Sequence, residues 1–331
     1  LVPAFLGGAT EPWTQGVILC LLGVALCVAP PGKSPGKILD GFLVAICLCA
    51  FLAFLPAKWF GLAPWRKIAS EEYCLDLGPC LSPQPWLSVQ SCLLLLGGLS
   101  WLYLMCAGRS EFNRREMLRW FGAGLVGWAI LANVLYWAQI KWPAGNSELS
   151  IFGSFPNRNQ TANLLALGLV LVVALAHEEF RRHRRKWIAW LGGACVLFGS
   201  LVNTGSRAGI LLGILGVATW ALLVASKRGS MAQVGSMIGL LCGVIGLFLT
   251  FGGNALERME NPMKWAESSE GSLRWSIQKE ALANTSAVAG VGLGNFQSVF
   301  LVSGQGLDVA KKFTVVHPES DWIWCAVEMG W

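Results

Sequence analysis

Apolar residues run through the chain in long blocks parted by short polar stretches. The blocks cover about residues 14–30, 38–56, 87–107, 118–139, 160–176, 187–203, 207–225 and 231–251, and a ninth starts near 319. Each is long enough, with almost no internal charge, to carry a helix across a hydrocarbon core of ~30 Å. The pattern predicts an all-α, polytopic transmembrane helical bundle forming one transmembrane domain over 1–331. The sequence opens on Leu1 and stops at Trp331 inside an apolar stretch, so it reads as a fragment at both ends. With nine blocks in this fragment and at least one more span before Leu1, the whole protein is expected to hold at least ten spans.

The polar connections orient the helices. The strongest is 177–186, with His177, Arg181, Arg182, His183, Arg184, Arg185 and Lys186. Arg109, Arg114 and Arg115, Lys227 and Arg228, and Lys33 and Lys37 mark three more. By the positive-inside rule these connections face the cytoplasm. Alternation then places 57–86, 140–159, 204–206 and 252–318 outside, and with them any chemistry.

Composition changes little in this picture. The chain is 54% hydrophobic and 13% charged, against about 25% charged in a soluble domain. The net charge of +6 sits in the short connections, as topology signals do, so it gives no reason to expect nucleic acid. Trp59, Trp65, Trp86, Trp142 and Trp187 lie near block ends, where interfacial anchors belong. Most of the eleven Cys lie inside spans, as small apolar residues do. Cys74 and Cys80 lie in a polar outer connection, where an oxidising compartment permits a disulfide; two unpaired thiols are the other reading.

The 252–318 connection is too long for a simple loop. Within it Leu273, Ile277 and Ala281 share one helical face, with Arg274 and Lys279 elsewhere. The spacing predicts an amphipathic helix near 269–285, on or near the membrane surface.

Candidate chemistry gathers on the outer side. The fifth and seventh spans start there, and both approaches carry capping residues and arginine: Ser154 to Thr161, around Asn157, Arg158 and Asn159, and Asn203 to Gly209, around Ser206 and Arg207. Ser206 fits an N-cap. Arg207 then falls in the first turn, where a cation opposes the helix dipole. A bound anion would resolve that conflict, since the N–H groups, the dipole and the guanidinium would all favour it, and phosphate suits the arginine fork. Snorkelling to lipid headgroups is the alternative.

Arg274 reads as a second candidate or as a solvated charge. The segment Gly290-Val291-Gly292-Leu293-Gly294 looks like a phosphate loop, but no strand precedes it, and a tight turn fits better. Before the last apolar block, His317, Glu319 and Asp321 gather an imidazole and two carboxylates, from which a general base can be drawn. The four Asp residues are all far apart (Asp40, Asp76, Asp308, Asp321), which argues against a carboxylate pair for metal. Arginine would handle anionic charge instead.

These pieces in their order resemble the O-antigen ligase/polymerase superfamily: Asn157-Arg158-Asn159 opening a span, Thr204-Gly205-Ser206-Arg207-Ala208-Gly209, Arg274-Trp275 with Ala281-Leu282, the glycine segment with Asn295-Phe296, and Glu328-Met329-Gly330. The resemblance covers roughly 150–331; the first half matches only in hydropathy. It implies a glycosyltransferase of the bacterial inner membrane, facing the periplasm and acting in surface polysaccharide (lipopolysaccharide) assembly. The donor would be a glycan on undecaprenyl diphosphate. The acceptor would be a hydroxyl of a lipid, protein or growing glycan, with no metal or other cofactor.

The family's two essential arginines map onto Arg207 and Arg274, with Arg158 and Ser206 alongside as diphosphate ligands. Its histidine position maps onto Glu319, and His317 lies two residues earlier, so either can take the base role. Two other classes stay open: a transporter or flippase of a polyprenyl-linked or anionic lipid, and a non-catalytic scaffold of a polysaccharide assembly complex. Few ionisable residues occupy the span centres, which counts against coupled transport.

Overall fold

A computed structural model describes residues 2–32, 34–61, 63–107, 114–144, 151–226, 269–283, 289–303, 315–318 and 320–330. The expected span at 231–251 lies outside the described residues, as do Lys33, Arg109, Lys227, Arg228 and Glu319. The regular elements are helical: α1 (Val2–Phe5), α2 (Pro12–Val28), α3 (Lys37–Phe51), α4 (Pro64–Glu71), α5 (Pro85–Cys106), α6 (Arg114–Trp137), α7 (Arg158–Arg181), α8 (Trp187–Asn203), α9 (Arg207–Ser226), α10 (Ser269–Ala283), α11 (Phe296–Ser303) and α12 (Asp321–Met329).

Among the described residues, five helical runs are long and apolar enough to cross a membrane: Lys37–Phe54, Pro85–Cys106, Arg115–Trp137, Arg158–Arg181 and Arg207–Val224. Pro12–Val28 and Trp187–Asn203 are shorter apolar helices. The long helices leave large apolar side chains exposed, such as Leu211, Leu215 and Leu222 on α9. Such a surface suits hydrocarbon rather than water. The fold is therefore an all-α, polytopic membrane bundle.

The chain divides into two compact units, Leu1–Leu21 with Ser110–Pro262, and Leu22–Arg109 with Met263–Trp331. The first unit is built on α6–α9, with α7 at its centre. Of the spanning part of α7, 56% is buried, against 28% for α6 and 22% for α9. Small residues make this possible. A Cβ at Gly209 would overlap Ala162, and one at Gly213 would come within 2.9 Å of Leu201. Close backbone approach through small residues is how helices associate in lipid, where the hydrophobic effect supplies no pull. Residues at the N-terminus are tied into this core: Trp128 Nε1 donates to Ala4 O at 3.1 Å and Trp142 Nε1 to Phe5 O at 2.9 Å.

The two ends of this bundle are fastened differently. At the basic end α7 continues to Arg181, beyond the expected limit at 176, and brings Glu178 and Glu179 into the helix. The expected basic connection is thus partly a paired helix end. Arg119 on α6 pairs with the buried Glu179, while Arg115 and Arg182 reach Glu178 at 2.8 and 3.0 Å. Near the opposite end, α6 and α8 join through amides and a hydroxyl. Asn133 Nδ2 donates to Ser200 Oγ at 2.6 Å, and Asn203 Nδ2 donates to Asn133 Oδ1 at 3.0 Å.

In the second unit Trp65, Ile277, Ala281, Val291, Phe296, Val299, Phe300 and Val327 share a core drawn from α4, α10, α11, α12 and the glycine segment. The apolar face of α10 is therefore covered by protein rather than by lipid. Trp65, expected as an interfacial anchor, lies inside this core.

Candidate functional site

The starts of α7 and α9 meet at the end of the first unit opposite its ion pairs. A three-residue turn, Thr204–Ser206, reverses the chain between α8 and α9. Gly205 sits there at φ +63°, a conformation that disfavours side chains. Thr204 Oγ1 donates to Leu201 O at 2.7 Å and accepts from Ser206 N at 3.2 Å, which holds the turn shut. Ser206 is the N-cap of α9: its hydroxyl accepts from Gly209 N at 3.3 Å. The same hydroxyl donates to Asn159 Oδ1 at 2.8 Å.

Asn159 belongs to the first turn of α7, whose N-cap, Asn157, accepts from Asn159 N at 2.8 Å. Arg158 and Arg207, each the first residue of its helix, are thus the sequence neighbours of a single inter-helix hydrogen bond. Arg158 is exposed and Arg207 half-buried. Two positive helix ends and two guanidinium groups on one rim make a place that favours an anion.

The second unit holds the other candidates. Arg274 is half-buried on α10, one turn before the core residue Ile277. The ring of His317 stacks on Trp324 of α12, with centroids 5.9 Å apart and planes 29° from parallel. Glu319 lies outside the described residues. Arg158, Ser206 and Arg207 therefore share one unit, and Arg274 and His317 share the other.

The glycine segment is a structural turn. Val291 N donates to Val327 O at 2.9 Å and Gly292 N to Glu328 O at 3.0 Å, so these amides serve the end of α12 rather than a phosphate. A Cβ at Gly290 would overlap the backbone at Glu328, and Gly292 and Gly294 have φ of +89° and +78°. The buried carboxylate of Glu328 accepts from Phe296 N at 3.1 Å, at the start of α11. Asn295, fully buried, donates to Ser88 Oγ at 2.8 Å and Ser82 Oγ at 3.1 Å. Both serines come from the first half of the chain, far from the glycines in sequence.

Arg66 on α4 is a further buried cation that sequence reasoning passed over. Its guanidinium donates to Gly78 O at 2.7 Å and to Cys80 O and Leu81 O at 3.0 Å each. Burial lowers its pKa from the ordinary arginine value, and the nearby Cys80 partly opposes that shift. Cys74 and Cys80, candidates for a disulfide, are both free thiols here, Cys74 exposed and Cys80 half-buried. Asn159 was equally overlooked as more than a capping residue. Its place after Arg158 in a first helical turn was the available signal.

Fold and site together define a polytopic helical membrane protein with arginine-led helix starts on one rim. The O-antigen ligase family model matches residues 192–331, so this part of the chain is similar to that family. The match supports a membrane glycosyltransferase-like role in surface polysaccharide assembly. Arg207, Arg274, His317 and Glu319 fall inside the matched segment, and Arg158 and Asn159 precede it. Neither a curated protein nor a solved structure matches the chain.

Proposed function

We propose that this protein transfers a glycan from undecaprenyl diphosphate to an acceptor hydroxyl at the periplasmic face of the bacterial inner membrane. The observation that carries this reading is the Ser206–Asn159 hydrogen bond, which sets two arginine-led helix starts side by side. A diphosphate leaving group carries charge that develops as its bond to sugar breaks, and fixed donors that meet this charge lower the barrier. Arg207 and Arg274 take that role in this proposal, and Arg158 and Ser206 bind the diphosphate. Arginine takes the part that a metal plays in other phosphate chemistry.

In the reaction, a lone pair of the acceptor oxygen forms a bond to the anomeric carbon. The bond from that carbon to the phosphate oxygen breaks, and its electron pair leaves on the diphosphate. The hydroxyl proton passes to His317 or Glu319. Stacking on Trp324 restrains the ring of His317, as orienting a general base requires.

A transfer assay in membranes tests the reading. Arg207→Ala and Arg274→Ala should each lower the rate by about a hundredfold or more, the scale for losing one such donor. Unchanged transfer in both variants refutes the mechanism. Comparing His317→Ala with Glu319→Gln assigns the base to whichever variant loses the reaction.

A further inference from the structure

We infer that Asn159 is a positioning residue for Arg207, acting across the α7–α9 contact through Ser206. The inference rests on the diphosphate reading above and adds a residue to it. Arg207 follows Ser206 directly, so whatever fixes Ser206 fixes the base of the arginine side chain. Three things hold that point. Thr204 closes the turn within α8 and α9, the overlap-free contact of Gly209 with Ala162 sets the helix separation, and Asn159 ties Ser206 to the neighbouring helix.

The tie through Asn159 is distinctive because of where its other end is anchored. The backbone N–H of Asn159 is held by the cap Asn157, and Arg158 lies between these two residues. A relay of three hydrogen bonds therefore runs from Asn157 through Asn159 and Ser206 to Gly209, and both arginine stems branch from it. Its chemistry also suits the place. An amide oxygen accepts from Ser206 while adding no charge. A carboxylate would accept the same bond but would bring a negative charge beside two arginines that have to meet an anion. Small displacements of a charge-stabilising group are costly in catalysis, so the relay governs rate rather than fold.

The test is a double-mutant cycle on glycan transfer by the full chain in membranes, with Asn159→Ala, Arg207→Ala and the pair. Asn159→Ala should lower kcat/KM by about three- to tenfold, the scale for one neutral hydrogen bond. In the Arg207→Ala background it should add no further loss, because the residue acts through an arginine that is no longer there. A merely structural role would depress both backgrounds alike. If Asn159→Ala does not accumulate in membranes, Asn159→Ser, too short to reach Ser206, takes its place in the cycle.

Losses that multiply across the cycle, or no loss from Asn159→Ala, overturn the inference while leaving the diphosphate reading intact. A normal rate in Arg207→Ala overturns the inference, and the diphosphate reading falls with it only if Arg274→Ala is normal as well. The two failures are therefore separable.

Discussion

Replacing Arg119 with Met tests what fastens α6 to α7 at the basic end. The side chain of Glu179 is only 2% exposed, and the structure pairs it with Arg119, itself 31% exposed. The second carboxylate oxygen, Glu179 Oε2, has no hydrogen-bond partner among the described residues. Removing Arg119 thus leaves a buried carboxylate with neither its cation nor a full set of donors. Breaking a buried pair from one side costs about 3–5 kcal/mol, much more than the pair contributes when intact. That is a large share of a typical stability of about 5–15 kcal/mol.

Two comparisons make the reasoning specific. Arg119→Met with Glu179→Leu removes both charges and should return to within about 1 kcal/mol of the parent. Arg115→Met breaks a pair whose side chains are 49% and 29% exposed, and should cost less than about 1 kcal/mol. Denaturant titration in detergent micelles, followed by Trp fluorescence, measures all three. Equal midpoints for Arg119→Met and Arg115→Met would refute the argument, since burial would then make no difference.

Two further outcomes concern the second unit. Asn295→Leu removes donors to Ser82 and Ser88 and should destabilise by about 2–3 kcal/mol, read as earlier unfolding or faster proteolysis. Arg66→Lys cannot reproduce a fork across three carbonyls, so the 78–81 segment should loosen and the half-buried Cys80 should react faster with a maleimide. An unchanged labelling rate would show that Arg66 does not hold that segment.

The spans were legible in the sequence because hydropathy over a helix-length window is local information. The block read at 207–225 appears as Arg207–Ser226, and that at 187–203 as Trp187–Asn203. The cap at Ser206 was legible for the same reason, since a cap bonds within its own turn. Partners chosen across the fold were not legible. Glu178 and Glu179 lie in a stretch read only for its basic residues, and their partners Arg115 and Arg119 come from α6. The glycine segment suggested a turn, but nothing near it in sequence pointed to Ser82 and Ser88. Trp65 and Trp142 sit near block ends as interfacial residues do, yet both are buried by tertiary contacts that hydropathy cannot see. The site divides along the same line: Arg207 stood out by its local conflict with the dipole, whereas Asn159 acquires a role only from its contact with another helix.

The unequal fastening of the first unit has a consequence for how it yields. Amide and hydroxyl bonds between α6 and α8 carry no net charge and are indifferent to ionic strength. The half-exposed pairing of Arg115 and Arg182 with Glu178 is screened as salt rises, while the buried Arg119–Glu179 pair is largely protected. Salt therefore weakens the exposed pairs at one rim of the bundle, spares the buried Arg119–Glu179 pair there, and leaves the other rim closed. Whatever the arginines at the closed rim hold, they hold it on a frame that keeps its shape when the far end loosens.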